Sequence, residues 1–163
     1  MTACAETAQM DLALTFDPTL QVFDLALRGA DLASDDTLAS AVLVSLLSDR
    51  LAETYEVKPG EDRRGWWADA YADKAHKTGS RLWLLERQKQ LPSVLQRCKR
   101  YCEEALAWCI EDGLASAITV AVFTPRMGWL VAMIKFEING QSRSLRFEFD
   151  QATQRWRLAA ESF

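Results

Sequence analysis

The chain has 163 residues, of which 49% are hydrophobic and 26% charged, and its formal net charge is −4. One globular domain over residues 1–163 is the default expectation at this length. The negative balance argues against a generally nucleic-acid-binding surface, which needs clustered positive charge. No stretch approaches the roughly 20 apolar residues of a membrane-spanning helix, and the N-terminus lacks the pattern of a secretory signal. We therefore expect an intracellular protein at the time of synthesis.

The first half of the chain predicts a pair of strands followed by a helix. DLALTF and QVFDLAL alternate apolar and polar residues around Asp17-Pro18, which indicates a hairpin or two short strands. SDDTLASAVLVSLLSDRLAETYE follows, with leucines and valines at helical spacing and Ser34 or Asp35 as the N-cap. We expect Lys58-Pro59-Gly60 to end this helix.

The second half predicts two helices and then strands. A short helix is expected from about Arg81 to Gln90, and Pro92 begins a long one that ends at the C-cap Gly113. SAITVAVF, GWLVAMIKFEI, RSLRFEFD and QRWRLAA read as strands, with a tight turn at Asn139-Gly140. The fold class is therefore α+β, with helices packed on a mostly antiparallel C-terminal sheet. We expect no internal repeat and no low-complexity linker.

The same periodicities predict the core. The side chains expected to share one core are Leu38, Val42, Leu46, Trp83, Leu106, Ile110, Val120 and Ile134.

The cysteines and the histidine favour structural roles over metal or cofactor chemistry. Cys98, Cys102 and Cys109 fall on one face of the long predicted helix and read as small buried hydrophobes; the fourth cysteine is Cys4. His76 is the only histidine, so zinc would lack partners, and its lysine-flanked position indicates a solvated loop. We expect neither a metal nor another cofactor.

No arrangement typical of an active site is present. The sequence contains no GxSxG elbow, no phosphate-binding glycine loop and no GxGxxG turn. Glu103-Glu104 and Glu111-Asp112 could act as paired carboxylates of a glycosidase, but neighbouring helical residues point in different directions, so a solvated face is the stronger interpretation. We expect no catalytic residues.

Residues 64 to 89 combine aromatic and charged side chains. Arginines and lysines interleaved with tryptophans could stack bases and hold phosphates, yet Glu61, Asp62, Asp69 and Asp73 cancel much of that charge. Trp83 is predicted to anchor a short helix on the core. At least one ring of Trp66-Trp67 is predicted to face outward, and Trp and Arg are the residues most enriched in interface hot spots.

These motifs resemble those of the Mu-type phage tail and baseplate family. The matching stretches are the helix from Asp36 to Ala52, the RGWW-D turn from Arg64 to Asp69, the GS-LWLL-R helix start from Gly79 to Arg87, and AL-W–DG from Ala105 to Gly113. The likeness spans roughly residues 10 to 140. Ser48-Asp49-Arg50-Leu51 and Cys109 depart from the family pattern. This chain has Thr124-Pro125-Arg126 in place of the Glu-Pro-Arg triplet that is typical of a related wedge family. We therefore do not assign that motif to this chain.

The resemblance implies a structural virion protein of contractile-tailed phages, similar to the small wedge protein of the inner baseplate. It would assemble in the host cytoplasm with other baseplate and tail proteins, without a membrane or a small-molecule substrate. Two alternatives stay open: a lysozyme-like cell-wall-degrading enzyme of the tail, and a small nucleic-acid-binding module. We expect one docking region with Trp83 supporting it from inside and Asp69 and Arg81 at its rim or paired with each other. Its residues are Arg64, Gly65, Trp66, Trp67, Asp69, Gly79, Ser80, Arg81 and Trp83.

Overall fold

The computed structural model describes residues 11–17, 19–20, 22–35, 38–71, 77–86, 88, 92–153 and 155–162. Cys4, Pro18, Asp36, Asp73, His76, Arg87 and Gln90, all named above, lie outside these residues. The contacts divide the chain into two compact units, residues 1–43 and 44–163. In the described residues, two α-helices accompany a four-stranded antiparallel sheet and three two-stranded sheets, which confirms the α+β class.

The first unit is built from six short strands. They are β1 (Asp11–Leu12), β2 (Leu14–Asp17), β3 (Val22–Leu25), β4 (Leu27–Arg28), β5 (Asp31–Leu32) and β6 (Ser34–Asp35). β2 and β3 form the predicted antiparallel hairpin, with Leu14 opposite Leu25. The Asp17 carboxylate accepts hydrogen bonds from the N–H groups of Thr19 (2.7 Å) and Leu20 (3.0 Å), which fixes the turn between the two strands.

Helix α1 (Ala39–Leu47) is shorter than predicted at both ends. The predicted N-caps Ser34 and Asp35 are wrong, because these residues form β6 and pair with β1. The helix also ends well before Lys58-Pro59-Gly60. Residues 48–52 leave it and hydrogen-bond to segments far along the chain instead. Long-range pairing has overridden helix propensity at both ends.

The second unit contains a long helix and a meander of four strands. The helix is α2 (Pro92–Glu111), and the strands are β7 (Ala117–Phe123), β8 (Trp129–Ile138), β9 (Gln141–Asp150) and β10 (Arg155–Ser162). The sheet order is β10-β9-β8-β7. Asn139 (φ 50°) and Gly140 (φ 76°) make the predicted tight turn between β8 and β9. Gly113 has a φ of 72°, as expected of a residue that ends a helix.

One stripe of α2 is buried, and α2 packs against β7 and β8. The stripe includes the three described cysteines, Cys98, Cys102 and Cys109, which confirms that they act as buried small side chains. Burial raises the pKa of the Cys109 thiol to about 11, so the thiol stays protonated at neutral pH.

Five of the predicted core residues are buried: Val42, Leu46, Leu106, Val120 and Ile134. Ile110 is wrong, since 47% of it is exposed. At about 100° per residue, its side chain points roughly 120° away from the centre of the α2 stripe. Leu38, which precedes α1, and Trp83 are only partly buried.

The predicted short helix before α2 is a 3-10 helix over Leu82–Leu85, and a second 3-10 helix covers Trp67–Tyr71. Leu82 and Leu85 are buried and hold the first of these against the unit's core. No helix of the described residues combines the length and apolar character needed to cross a lipid bilayer.

Candidate docking surface

The extended segment after α1 brings two tryptophan motifs of the sequence together. The first motif is residues 64–69, and the second is residues 79–87. Asp49 and Ser80 form a parallel β-bridge. The Ser80 N–H donates to the Ser48 carbonyl (2.8 Å), and the Arg50 N–H donates to the Ser80 carbonyl (2.9 Å). Further along the same segment, the Ala52 N–H donates to the carbonyl of Arg63 (2.9 Å), immediately before the first motif. Residues 48–52 are therefore paired with both motifs.

Glycine is required where each motif meets this segment. A Cβ on Gly65 would lie 2.8 Å from the Cβ of Leu51, and a Cβ on Gly79 would strike the carbonyl of Ser48. Both glycines also have positive φ angles, 100° and 89°. A side chain at either position would push the backbones apart, so the glycines set how closely the motifs approach residues 48–52.

Ser80 fastens the second motif to the end of α1. It is almost fully buried, and its hydroxyl donates to the carbonyl of Leu46. That carbonyl belongs to the last turn of the helix and has no partner within it, so the serine satisfies a helix end that would otherwise lack a donor.

Three aromatic side chains stand outward beside these contacts. Trp66, Trp67 and Tyr71, which we call the aromatic ladder, are 53%, 75% and 81% exposed. The ring centroids of Trp66 and Trp67 are 6.2 Å apart, and those of Trp67 and Tyr71 are 6.1 Å apart, both in tilted or edge-on geometry. These distances are typical of favourable aromatic pairs. Both tryptophans face solvent, where the sequence predicted at least one.

Two open hollows flank Trp66. One, of about 430 Å³, lies on the Trp67 side and includes Leu51, Ala70 and Lys77 in its lining. The other, of about 370 Å³, includes Val44, Ser48 and Thr78. The indole therefore forms a ridge between two recesses, a relief that a partner side chain can fill from either side.

Trp83 links the second motif to the first motif and to residues 48–52. Its indole N–H donates to the carbonyl of Arg50 (3.0 Å). The guanidinium of Arg64 lies over its ring at 4.5 Å and also bonds the Asp49 carboxylate at 2.8 Å. The side chain at the start of the first motif thus rests on the aromatic ring of the second.

Asp69 and Arg81 do not pair with each other, contrary to one of the two alternatives in the sequence analysis. The Asp69 carboxylate accepts from both the N–H (2.8 Å) and the hydroxyl (2.7 Å) of Thr78. Asp69 therefore links the 3-10 helix that carries Trp67 and Tyr71 to Thr78, the residue before Gly79. Neither its role nor that of Thr78 could be read from sequence spacing.

Arg81 instead lies at the centre of a mostly buried charge cluster. It bonds Glu56 (2.9 Å) and Glu104 and stacks over Tyr101 at 4.8 Å. Burial opposes its charged form, but the hydrogen bonds to the two carboxylates outweigh burial and raise the pKa of the guanidinium. Burial likewise favours protonated Glu56, yet hydrogen bonds from the Glu53 N–H and from Arg81 lower its pKa overall. The cluster links the second motif to α2.

Two of the four residues first considered for catalysis are in ion pairs. Glu104 binds Arg81, and Glu103 lies 3.7 Å from Lys99 one turn away. Within the described ranges, no group of three or more His, Cys, Asp or Glu side chains is arranged to hold a metal ion.

Several contributors to this region were missed. Tyr71 follows Trp67 by four residues, a spacing that places side chains on one face of a helical turn and would have predicted its place in the ladder. Val44, Ser48 and Thr78 carried no such signal, because they join the region only through long-range contacts.

A family model described as Phage protein GP46 matches residues 38–143. The chain is 41% identical over 131 residues to Baseplate protein gp46 of Escherichia phage Mu. The aligned region covers 79% of this chain and 88% of that protein. It belongs to the GP46 family. Mu-like prophage FluMu protein gp46 of Haemophilus influenzae (strain ATCC 51907 / DSM 11121 / KW20 / Rd) is 40% identical over 124 residues, 76% of this chain and 84% of that protein.

Membership of the GP46 family confirms the Mu-type resemblance inferred from the tryptophan motifs. Both motifs, residues 48–52 and the whole aromatic ladder lie inside the matched range. The strands β1 to β6 lie outside it.

Proposed function

We propose that this chain is a structural component of the baseplate of a contractile phage tail, or of a tail derived from a prophage. It acts through protein–protein contacts in the virion, with other baseplate and tail proteins as its partners. Membership of the GP46 family and the name of the phage Mu relative support this role. The observation that carries it is the aromatic ladder, exposed on a firmly held backbone.

Exposed aromatic side chains are unusual when they are clustered. A large apolar group left in water forgoes roughly 1.5–3 kcal/mol of burial, and contiguous apolar patches on a monomer mark interaction sites. Trp66, Trp67 and Tyr71 are adjacent, and their backbone is fixed by Gly65 against Leu51 and by the Asp69–Thr78 hydrogen bonds. A surface held in place before binding loses little entropy when the partner arrives.

The charges around the ladder are paired. Arg64 binds Asp49 at 2.8 Å, and Lys77 binds Glu53 at 2.7 Å. Such a rim keeps the free subunit soluble and gives a partner a defined orientation without a strong net field. A subunit that folds before it joins an assembly needs both properties.

The most direct test of this surface is the double variant Trp66→Ala/Trp67→Ala. It should stay folded, because neither ring is buried, and it should fail to enter assembled tails, because loss of a central aromatic anchor costs about 2 kcal/mol or more at an interface. The matched control is Tyr55→Ala, which removes an aromatic ring that is 82% exposed and lies outside the ladder. Incorporation is measured by mass spectrometry of purified tails.

The outcomes separate three cases. Normal incorporation of a folded double variant would refute the docking surface. Unfolding of the double variant, seen by circular dichroism, would assign the two tryptophans to the core. An equal defect in Tyr55→Ala would show that the ladder is not specific.

We further infer that the chain is not an enzyme. Of the two acidic pairs considered for glycoside hydrolysis, Glu103-Glu104 is engaged in ion pairs, Glu104 with Arg81 and Glu103 with Lys99. Purified protein incubated with peptidoglycan should release no fragments. Cleavage that one Glu→Gln substitution abolished would establish a muralytic enzyme instead.

A further inference from the structure

The first compact unit contains a short repeat that the sequence analysis overlooked. The tripeptide Asp-Leu-Ala occurs at residues 11–13, 24–26 and 31–33. In each copy the alanine lies between two strands: Ala13 joins β1 to β2, Ala26 joins β3 to β4, and Ala33 joins β5 to β6. The expectation that the chain has no internal repeat was wrong.

The three alanines close a ring of backbone hydrogen bonds. Ala26 donates to Ala13 (2.8 Å), Ala33 donates to Ala26 (2.9 Å), and Ala13 donates to Ala33 (2.9 Å). Each alanine therefore gives one hydrogen bond and receives one, always in the same rotational direction. This is the pattern that a threefold axis through the ring would produce.

The strand register follows the same axis. The leucine of each repeat lies opposite the residue that follows the alanine of another repeat: Leu25 opposite Leu14, Leu32 opposite Leu27, and Leu12 opposite Ser34. Each of the three ladders thus joins a different pair of repeats. Residues 11–17 and 22–35 form what we call the pseudo-threefold unit.

One face of this unit is apolar and exposed. Side chains alternate along a strand and directly paired residues share a face, so the three repeat leucines and their partners project to the same side. Leu12, Leu25 and Leu32 are 44%, 41% and 43% exposed, nearly equal values that agree with the symmetry. Leu27 on the same face is 71% exposed. Contiguous leucines left in water indicate an interaction surface.

The unit is also strongly acidic. Residues 11–35 contain five aspartates and one arginine, while the formal net charge of the whole chain is −4. The excess negative charge of the protein therefore resides in this short stretch. By the same alternation, Asp17, Asp24 and Asp31 project to the face opposite the leucines. The leucine face itself is apolar, so its partner must offer an apolar surface.

We propose that the leucine face docks on the threefold axis of a homotrimeric protein with an apolar centre. Three equivalent leucines around one axis match three identical sites, so a single copy of this chain can satisfy all three subunits of a trimer. The proposal rests on the proposed function, because it places this trimer among the proteins of the tail. It assigns a role to strands outside the range that defines the GP46 family.

Site-specific cross-linking in assembled tails tests the symmetry itself. Photoreactive benzoylphenylalanine replaces Leu12, Leu25 or Leu32, one position at a time, and cross-linked peptides are identified by mass spectrometry. All three positions should cross-link to the same peptide of one tail protein, because the three sites on a homotrimer are identical. The control position is Leu20, which is 67% exposed but lies in the β2–β3 turn outside the repeats, and it should not reach that peptide.

The proposal would be overturned if the three positions cross-linked to different targets or to another copy of this chain. It would also be overturned if none of them cross-linked. Absence of the unsubstituted chain from the tails would refute the proposed function as well, so the two failures are distinguishable. If the photoreactive variants do not assemble, Leu25→Ser and Leu20→Ser provide the second measurement. We expect incorporation to fall on the order of tenfold for Leu25→Ser only; equal incorporation would overturn the proposal.

Discussion

At the scale of single residues, Gly79 is distinguished from Gly60 by what lies beside its Cα atom. Both have positive φ, 89° and 85°, but a Cβ on Gly60 would meet nothing within 4 Å, whereas one on Gly79 would strike the Ser48 carbonyl. The positive φ angle is therefore common to both glycines, and only the steric requirement is specific to the docking region.

Gly79→Ala should consequently destabilise the protein more than Gly60→Ala. Each alanine pays about 1–2 kcal/mol for the left-handed conformation, and Gly79→Ala adds about 1–3 kcal/mol for the forced separation of two backbones. Urea unfolding of both variants gives the comparison. Equal losses would mean that the approach of Gly79 to residue 48 is not needed for stability.

Glu148 on β9 gives a residue-scale prediction for pH. The hydrogen bond from Arg157 (2.6 Å), together with the charges of Arg157 and Arg146, lowers the pKa of this carboxyl, although burial opposes the shift. Its pKa is lower in the folded than in the unfolded protein, so the ion pairs contribute stability above the unfolded value of about 4.3. That stability is lost as the pH falls through the lower, folded pKa.

The free energy of unfolding should therefore decrease as the pH falls below about 4, and Glu148→Gln should make this decrease shallower. Glu56, whose pKa is also lowered, contributes in the same direction. Denaturant midpoints measured across the acidic range for both proteins provide the check. Identical pH profiles would show that Glu148 is not held as a carboxylate by its arginines.

At the scale of elements, the C-terminal half followed its sequence closely. Alternating apolar residues and Asn139-Gly140 specify local strands and a local turn, and four strands paired in chain order need no distant information. The buried stripe of α2 likewise follows from periodicity within one helix. Of the predicted core residues on α2, only Ile110, which projects outside that stripe, was misassigned.

The ends of α1 could not be predicted in this way. Ser34 and Asp35 pair with residues more than twenty positions earlier, and residues 48–52 pair with Arg63 and Ser80. These partners lie too far away in sequence for a local pattern to reveal them. Together they determine where the helix begins and ends. The candidate docking region has the same origin: its tryptophans were predictable, but Asp69–Thr78 and the cluster around Arg81 depend on tertiary contacts.

Alanine substitutions at two positions of α2 test which face of the helix is buried. Leu106→Ala should cost about 2–5 kcal/mol, because Leu106 is fully buried. Ile110→Ala should cost much less, since 47% of that side chain is exposed. Thermal or urea unfolding distinguishes them, and a larger loss at position 110 would show that the helix packs through a different face.

At the scale of the whole molecule, the balance of charges argues against nucleic acid as a ligand. The basic side chains Arg64, Lys77 and Arg81 are all bonded to carboxylates, and Arg157 binds Glu148 on the sheet. Phosphates would have to displace these partners. We expect fluorescence anisotropy to show no tight, salt-sensitive binding of DNA or RNA at low salt; such binding would revive the nucleic-acid alternative.

The single domain over residues 1–163 stays a prediction. All six tryptophans lie in residues 44–163, so fluorescence reports on the second compact unit, and hydrogen exchange of residues 11–35 reports on the first. One domain predicts that both probes give the same midpoint in denaturant. Separate midpoints would indicate two independently folding units.

We propose above all that this chain is a structural component of a tail baseplate. Immunogold electron microscopy of tails purified from the strain that encodes it tests that claim most directly, with an antibody raised against the purified chain. We expect gold at the baseplate end of the tail and none along the sheath or at the head. Tails that carry no gold, or carry it only elsewhere, would contradict it.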